Sequence, residues 1–97
     1  MSNKPNTDKF IKIPQSVFDK KLKPRDFAVY CCLVMHSDDQ GYCFPSRKRI
    51  ADKCRIDRKT VDVAIETLVD LGLIEKSSRY IDGRKTSNKY RVLNIDK

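Results

Sequence analysis

Between Asp57 and Leu73 the apolar residues Val61, Ala64, Ile65, Leu68 and Leu71 recur at three-to-four spacing, and from Leu73 onward the period changes to alternation. This switch within a few residues restricts the fold more than any other feature. The first pattern predicts a helix over 57–72 with one buried face. Asp57 supplies the short acceptor that opens such a helix, and Gly72 is the residue type that ends one in a left-handed turn, with Leu73 placed for the accompanying apolar contact. The second pattern predicts an antiparallel hairpin. Leu73 to Lys76 and Ser78 to Ile81 form one side, Asn88 to Leu93 the other, and Asp82-Gly83-Arg84-Lys85 lie between them. An Asp-Gly step between alternating segments is a turn signal.

Upstream, the segment from Pro24 to about His36 is apolar at nearly every position, with Phe27, Cys31 and Val34 on one stripe and Tyr30 and Leu33 on its flank. A helix apolar most of the way round is a central, buried one, and proline suits its first position. Ser37 to Gly41 is a polar loop, and Tyr42-Cys43-Phe44 forms a brief strand before Pro45. Ser46 caps a short helix over about Arg47 to Lys53, joined through the tight connection Cys54-Arg55-Ile56 to the Asp57 helix. Nearer the N-terminus, Phe10 to Ile13 alternates as a short strand or extended arm would, ended by Pro14. Val17, Phe18 and Leu22 add a small apolar patch. Ninety-seven residues suit one modest core,. The expected organisation is a flexible basic tail over 1–9, a single domain over 10–93 and a short tail over 94–97.

A formal charge of +8 and a pI near 9.5 call for a polyanionic partner, nucleic acid first and an anionic membrane surface second,. The longest apolar run, Phe27 to Met35, is about half of what a bilayer span needs, and the N-terminus lacks an apolar signal core, so a cytoplasmic protein with no membrane contact is expected. Cys31, Cys32, Cys43 and Cys54 show no C-x-x-C pair, and His36 is the only histidine. No metal and no cofactor are expected, and the thiols are read as reduced core residues rather than a redox sensor. One histidine, no glycine-rich phosphate loop and no carboxylate pair leave little from which to build a catalytic site, so an enzyme is not expected.

The order of central helix, short capped helix, tight turn, longer helix and hairpin is the plan of a winged helix-turn-helix, an α+β fold of about three helices plus a C-terminal β-hairpin wing. The stretch FPSRKRIADKCRIDRKTVDVAIETLVDLGLIEK, with GRKTSNKYRV after it, closely resembles the helix-turn-helix family found in phage and plasmid replication proteins of bacteria. The motifs that carry the resemblance are Pro45-Ser46, Ile50-Ala51, Arg58-Lys59-Thr60-Val61, Leu71-Gly72-Leu73-Ile74 and Ser87-Asn88-Lys89-Tyr90. It covers about Leu22 to Leu93 and implies a winged-helix DNA-binding domain. The chain has Cys54-Arg55 where the family's turn often carries a small residue or glycine.

Charge is partitioned along this motif. Ser46 to Lys59 carries seven cations against Asp52 and Asp57, net +5, whereas Thr60 to Gly72 has no cation against Asp62, Glu66 and Asp70, net −3. Arg58 and Lys59 thus fall in the first turn of the long helix, where the dipole disfavours cations by about 0.3–1 kcal/mol each. An anion arriving there relieves the conflict, because the free amides, the dipole and the side chains then act together. The candidate DNA contacts are Ser46, Arg47 and Lys48 on the short helix, Arg58, Lys59 and Thr60 on the long one, and Arg79, Arg84, Lys85 and Lys89 on the wing. Each has a plainer alternative. Arg58 can pair with Asp62 four residues on, although cation-first is the weaker order. Thr60 can help cap its own helix as readily as reach a phosphate. Asp62 and Glu66 can accept from cytosine N4 or simply solvate a face turned from DNA. The wing can lie along phosphates, place an arginine in the minor groove, or be only a charged edge guarded against aggregation. Among the aromatic residues, Tyr80 is the one placed to meet DNA.

The sequence therefore leads to a double-stranded DNA-binding protein of a bacterial plasmid or phage, serving replication or maintenance through the 57–72 helix and the 79–89 wing. A homodimer or cooperative array on DNA is expected, because one winged helix reads few base pairs. With the chain ending just after the wing, no second domain is expected, and the protein is either a small accessory factor or the amino-terminal piece of a larger initiator. The rivals are a transcriptional regulator or transfer-origin accessory protein, and a winged helix that holds a protein partner or dimerises.

Overall fold

The computed structural model describes residues 10–86 and 88–93. A 3₁₀ turn, Gln15–Asp19, precedes α1 (Pro24–His36), β1 (Tyr42–Cys43), α2 (Arg47–Cys54), α3 (Arg58–Asp70), β2 (Ile74–Ser77), β3 (Tyr80–Ile81), β4 (Arg84–Lys85) and β5 (Lys89–Val92). The expected tails over 1–9 and 94–97 lie outside the described residues. Phe10 to Ile13 forms an arm rather than a strand: Ile13 rests against the core, while Phe10 and Ile11 stay exposed and no strand edge pairs with them among the described residues.

Helix α1 starts at Pro24, as its sequence requires, and the Lys23 amide donates to Asp26 Oδ2 at 3.0 Å. That bond, with Arg25 Nε 3.4 Å from Oδ1, explains how Asp26 is buried with its charge satisfied,. The buried stripe is Val29, Tyr30, Cys32 and Leu33; Phe27, Cys31 and Val34, expected to lead it, are only partly covered. A helix apolar nearly all round leaves its phase to its neighbours, and α1 is packed by α2, α3 and the sheet together.

Helices α2 and α3 are built on the expected caps. Ser46 Oγ accepts from the Arg49 amide at 3.1 Å, and Asp57 Oδ1 from the Thr60 amide at 2.7 Å. Between them Arg55 takes a left-handed conformation, φ 58° and ψ 46°, and the Ile56 amide reaches back to Ala51 O at 3.1 Å. An arginine thus stands where glycine is the usual choice. At the far end of α3, Gly72 (φ 76°) closes the helix: its amide donates to Val69 O and the Leu73 amide to Leu68 O, both at 3.0 Å. Leu68 and Leu73 are both fully buried, the apolar contact that accompanies this termination,.

The chain then enters an antiparallel sheet of order β1-β5-β2. Ile74 pairs with Val92, Lys76 with Tyr90 and Cys43 with Tyr90, so Ile74, Cys43 and Tyr90 face the helices, while Tyr42, Glu75 and Arg91 share the outer face,. Gly41 makes the first strand possible. Its φ is 90°, its carbonyl accepts from the Val92 amide at 2.8 Å, and a Cβ there would lie 2.5 Å from Val92 O.

The hairpin is tighter than the sequence suggested. Asp82 (φ 52°) and Gly83 (φ 77°) alone make the turn, and Arg84 and Lys85, expected in the loop, form β4 opposite Ile81 and Tyr80. Left-handed values at both central residues match the twist of the flanking strands, so no further loop is needed. Arg79 O accepts from the Thr86 amide and hydroxyl, extending the ladder toward the main sheet. Every residue from Glu75 to Thr86 is exposed.

Candidate nucleic-acid interface

The starts of α2 and α3 are locked together. Arg47 forks Asp62, Nε to Oδ1 and Nη2 to Oδ2, both at 2.7 Å. The planar guanidinium meets the carboxylate in two parallel bonds, so the pair links α2 to α3 between residues fifteen apart in sequence,. This overturns the pairing of Arg58 with Asp62: the Asp62 side chain leans toward α2, and no ion pair reaches Arg58 or Lys59 among the described residues. Lys48 pairs with Asp52 one turn along α2, at 3.0 Å and well exposed, a contact of little strength,.

Asp57 carries the local electrostatics of α3. The Thr60 hydroxyl, then the Thr60 amide, hold its carboxyl below its usual range, with Lys59 adding to the effect. Thr60 thus takes part in the cap through its amide. Arg58 and Lys59 follow the cap, exposed, at the positive end of the helix,.

The wing meets this end of the motif at its root. Arg79 Cζ lies 4.4 Å from the centre of the Phe44 ring, and Phe44 immediately precedes Pro45 and the Ser46 cap. On the outer sheet face, Lys89 Nζ and Arg91 Cζ lie 4.5 and 5.0 Å from the Tyr42 ring centre, and Arg91 Nε donates to Gln40 O at 3.3 Å. Inside the sheet, burial pushes the Tyr90 hydroxyl pKa up; Asn88 lies 3.4 Å from it and partly offsets the rise, and the charge of Asp62 raises it further. Tyr90 is buried in the core, on the face of β5 that packs against α1. The Arg47–Asp62 fork joins the starts of α2 and α3, and the Arg79–Phe44 contact brings the wing root to the segment that leads into α2.

The family described as helix-turn-helix domain matches residues 20–74 of this sequence, more than half of the chain. The chain belongs to the helix-turn-helix domain family. No curated protein matches it in sequence. In fold, this helix-turn-helix domain is similar to a possible transcriptional regulator from Methanosarcina mazei Go1, with TM-score 0.59 and 16% identity, covering 76% of this chain and 58% of that one. It is also similar to a MarR family regulator from Neisseria meningitidis, with TM-score 0.52 and 26% identity, covering 79% of this chain and 49% of that one. The chain spans about half to three-fifths of the length of these two regulators. The expected α+β winged helix-turn-helix is what the structure contains: three helices, with antiparallel strands that make the wing.

Among the expected contact residues, the fold gathers Ser46, Arg47, Arg58, Lys59 and Thr60 at one end of the motif, and Arg79 at the wing root beside them. Arg84 and Lys85 stand apart on the exposed tip, and Lys89 lies on the outer sheet face. Ser87, part of the family motif, lies outside the described residues. Arg91 and the aromatic partners Tyr42 and Phe44 were missed. The alternation Lys89-Tyr90-Arg91 carried the signal, since a core Tyr90 places both cations on the opposite face. Among the described residues, no cluster of His, Cys, Asp or Glu is arranged to hold a metal ion, and no helix is long and apolar enough to cross a membrane. The four thiols are free.

Proposed function

We propose that this helix-turn-helix domain binds double-stranded DNA, entering the major groove with the start of α3 and lying along the backbone with its wing. The observation that carries this reading is the pair of exposed cations at the start of α3: Arg58 and Lys59 have no ion-pair partner among the described residues, while the Arg47–Asp62 fork and the Arg79–Phe44 contact hold the surrounding elements in place. Ser46, Arg47 and Lys48 meet phosphates at the start of α2, where the helix amides add to the attraction. Arg84, Lys85 and Lys89 neutralise phosphates along the wing.

The same reading makes the protein a cytoplasmic DNA-binding factor of a plasmid or phage that serves replication or maintenance, working as a homodimer or cooperative array and without catalysis. The Pro45-Ser46 and Arg58-Lys59-Thr60-Val61 motifs support that role. Transcriptional regulation is the second reading, favoured by the two regulators that share the fold. Footprinting on DNA beside its own gene separates them: protection of repeated sites in an origin supports replication, and protection of a promoter supports regulation.

The test of DNA binding itself is salt dependence. Each neutralised phosphate contributes about −0.9 to the slope of log affinity against log salt. Replacing Arg84 and Lys85 together by alanine should weaken binding to all duplexes and flatten the slope by about 1.8. Unchanged affinity removes the wing from the interface, and a flat slope for the unaltered protein favours a protein-docking module instead.

A further inference from the structure

The exposed side of α3 is narrower in chemical choice than its sequence implies. Thr60 is half-buried with its amide in the Asp57 cap, Asp62 is held by the Arg47 fork, and Thr67 Oγ1 donates back to Val63 O at 3.1 Å. With Val61, Ala64, Ile65 and Leu68 buried, helical phase puts Lys59, Val63, Glu66 and Asp70 on the opposite, outward line,. Asp70 ends the helix about 16 Å beyond Lys59, further than the groove's breadth of about 12 Å. Val69, the helix's other exposed apolar residue, lies off that line. What remains for base edges is Lys59, Val63 and Glu66, and of these Val63 is an apolar side chain left 44% exposed in the middle of a charged face.

We infer that Val63 reads a thymine, its methyl groups packing against the C5-methyl in the major groove, and that Glu66, one turn on, accepts from the N4 amino group of a nearby cytosine. This rests on the DNA-binding reading above. The thymine methyl is the apolar feature that the major groove offers, and a carboxylate without a cation partner among the described residues suits the cytosine donor,. The fork at Arg47 separates the two acids: it neutralises Asp62 and leaves Glu66 as the acceptor on the outward line. Lys59, at the basic end, meets phosphate or guanine on the same side of the helix.

The experiment uses the full chain and a duplex enriched by it from a random pool. Each thymine is replaced in turn by deoxyuridine, which removes the C5-methyl group alone. One replacement should weaken binding about fourfold, the effect of about 0.8 kcal/mol for one methyl-sized group buried. Val63→Ala, checked for folding by its thermal melt, should bind but be indifferent to that replacement, and Glu66→Gln should move a nearby preference from cytosine to adenine. If no thymine position matters to the unaltered protein, or if Val63→Ala loses as much as it does, the inference about Val63 is overturned. A cytosine preference unmoved by Glu66→Gln overturns the assignment of Glu66. Failure to enrich or bind any duplex is a different result: it overturns the DNA-binding reading and this inference with it.

Discussion

Replacing Arg55 by glycine should stabilise the domain. At φ 58° and ψ 46°, Arg55 holds its Cβ in the left-handed region, at a cost of about 1–2 kcal/mol for an L-residue,. Glycine removes that cost but gives the unfolded chain more freedom, a penalty of about 0.5–1 kcal/mol. The difference leaves a gain of up to about 1.5 kcal/mol, centred on about 0.75 kcal/mol, or about 3 to 6 °C in Tm for a domain of this size. The Arg55 side chain is exposed and makes no hydrogen bond or ion pair among the described residues, while the amide bonds of Arg55 and Ile56 to Ala51 O depend only on the backbone. Urea and thermal unfolding of Arg55→Gly and Arg55→Ala measure the effect. Alanine keeps the Cβ and so keeps the strain, and should lie within about 0.5 kcal/mol of the unaltered protein. If glycine is no more stable than alanine at equal m-value, the left-handed turn is not where the strain resides.

The opposite substitution at Gly41 should be damaging. Gly41→Ala brings a Cβ to 2.5 Å from Val92 O at a φ of 90°, so a loss of more than about 2 kcal/mol is expected in a denaturant titration,. In acid, Asp57 titrates below its ordinary value of 3.8 in the folded state, so its contribution is complete above that pH and is lost as pH falls through the folded value,. Asp57→Asn keeps an acceptor for the Thr60 amide and should flatten the acid side of the stability profile; a profile unchanged from the parent argues against the cap as its source. In alkali the sign reverses, because burial pushes Cys32 up to about 12 and Cys43 to about 11, against an ordinary 9.0. Their contribution is whole below 9.0 and falls away as pH rises through the folded values,. Both thiols should also resist alkylation until denaturant is added, and native-state labelling at the unfolded rate contradicts their burial.

What was legible in the sequence was what local chemistry decides. Pro24, Ser46, Asp57 and Gly72 mark helix ends through their own backbone and side-chain geometry, and the three-to-four spacing of Val61, Ala64, Ile65 and Leu68 marks the buried face of α3. Contacts between distant segments were not legible. Arg47 reaches Asp62 across two helices, and β1 finds β5 almost fifty residues later, in a register set partly by the space Gly41 leaves. Arg55 was hidden for another reason, since its residue type argues against the conformation that the short connection imposes. The stripe of α1 was misassigned because nearly every face of that helix is apolar. At the candidate interface, the cations could be named from their clustering, but their division into paired Arg47 and Lys48 and unpaired Arg58 and Lys59 depended on the packing of α2 against α3.

None of Tyr80, Ile81, Arg84 and Lys85 is buried, and the two strands they form contribute nothing to the core. The tip is held by the Asp82-Gly83 turn and its own ladder, so its identity is free of the constraints that govern the helices. Apart from those turn residues, a change on its surface removes no core contact and costs no more than a cross-strand pair, about 0.2–1 kcal/mol,. On the DNA-binding reading proposed above, a lineage carrying this domain can retune how strongly it grips while its reading helix stays as it is, and grip and recognition can evolve separately.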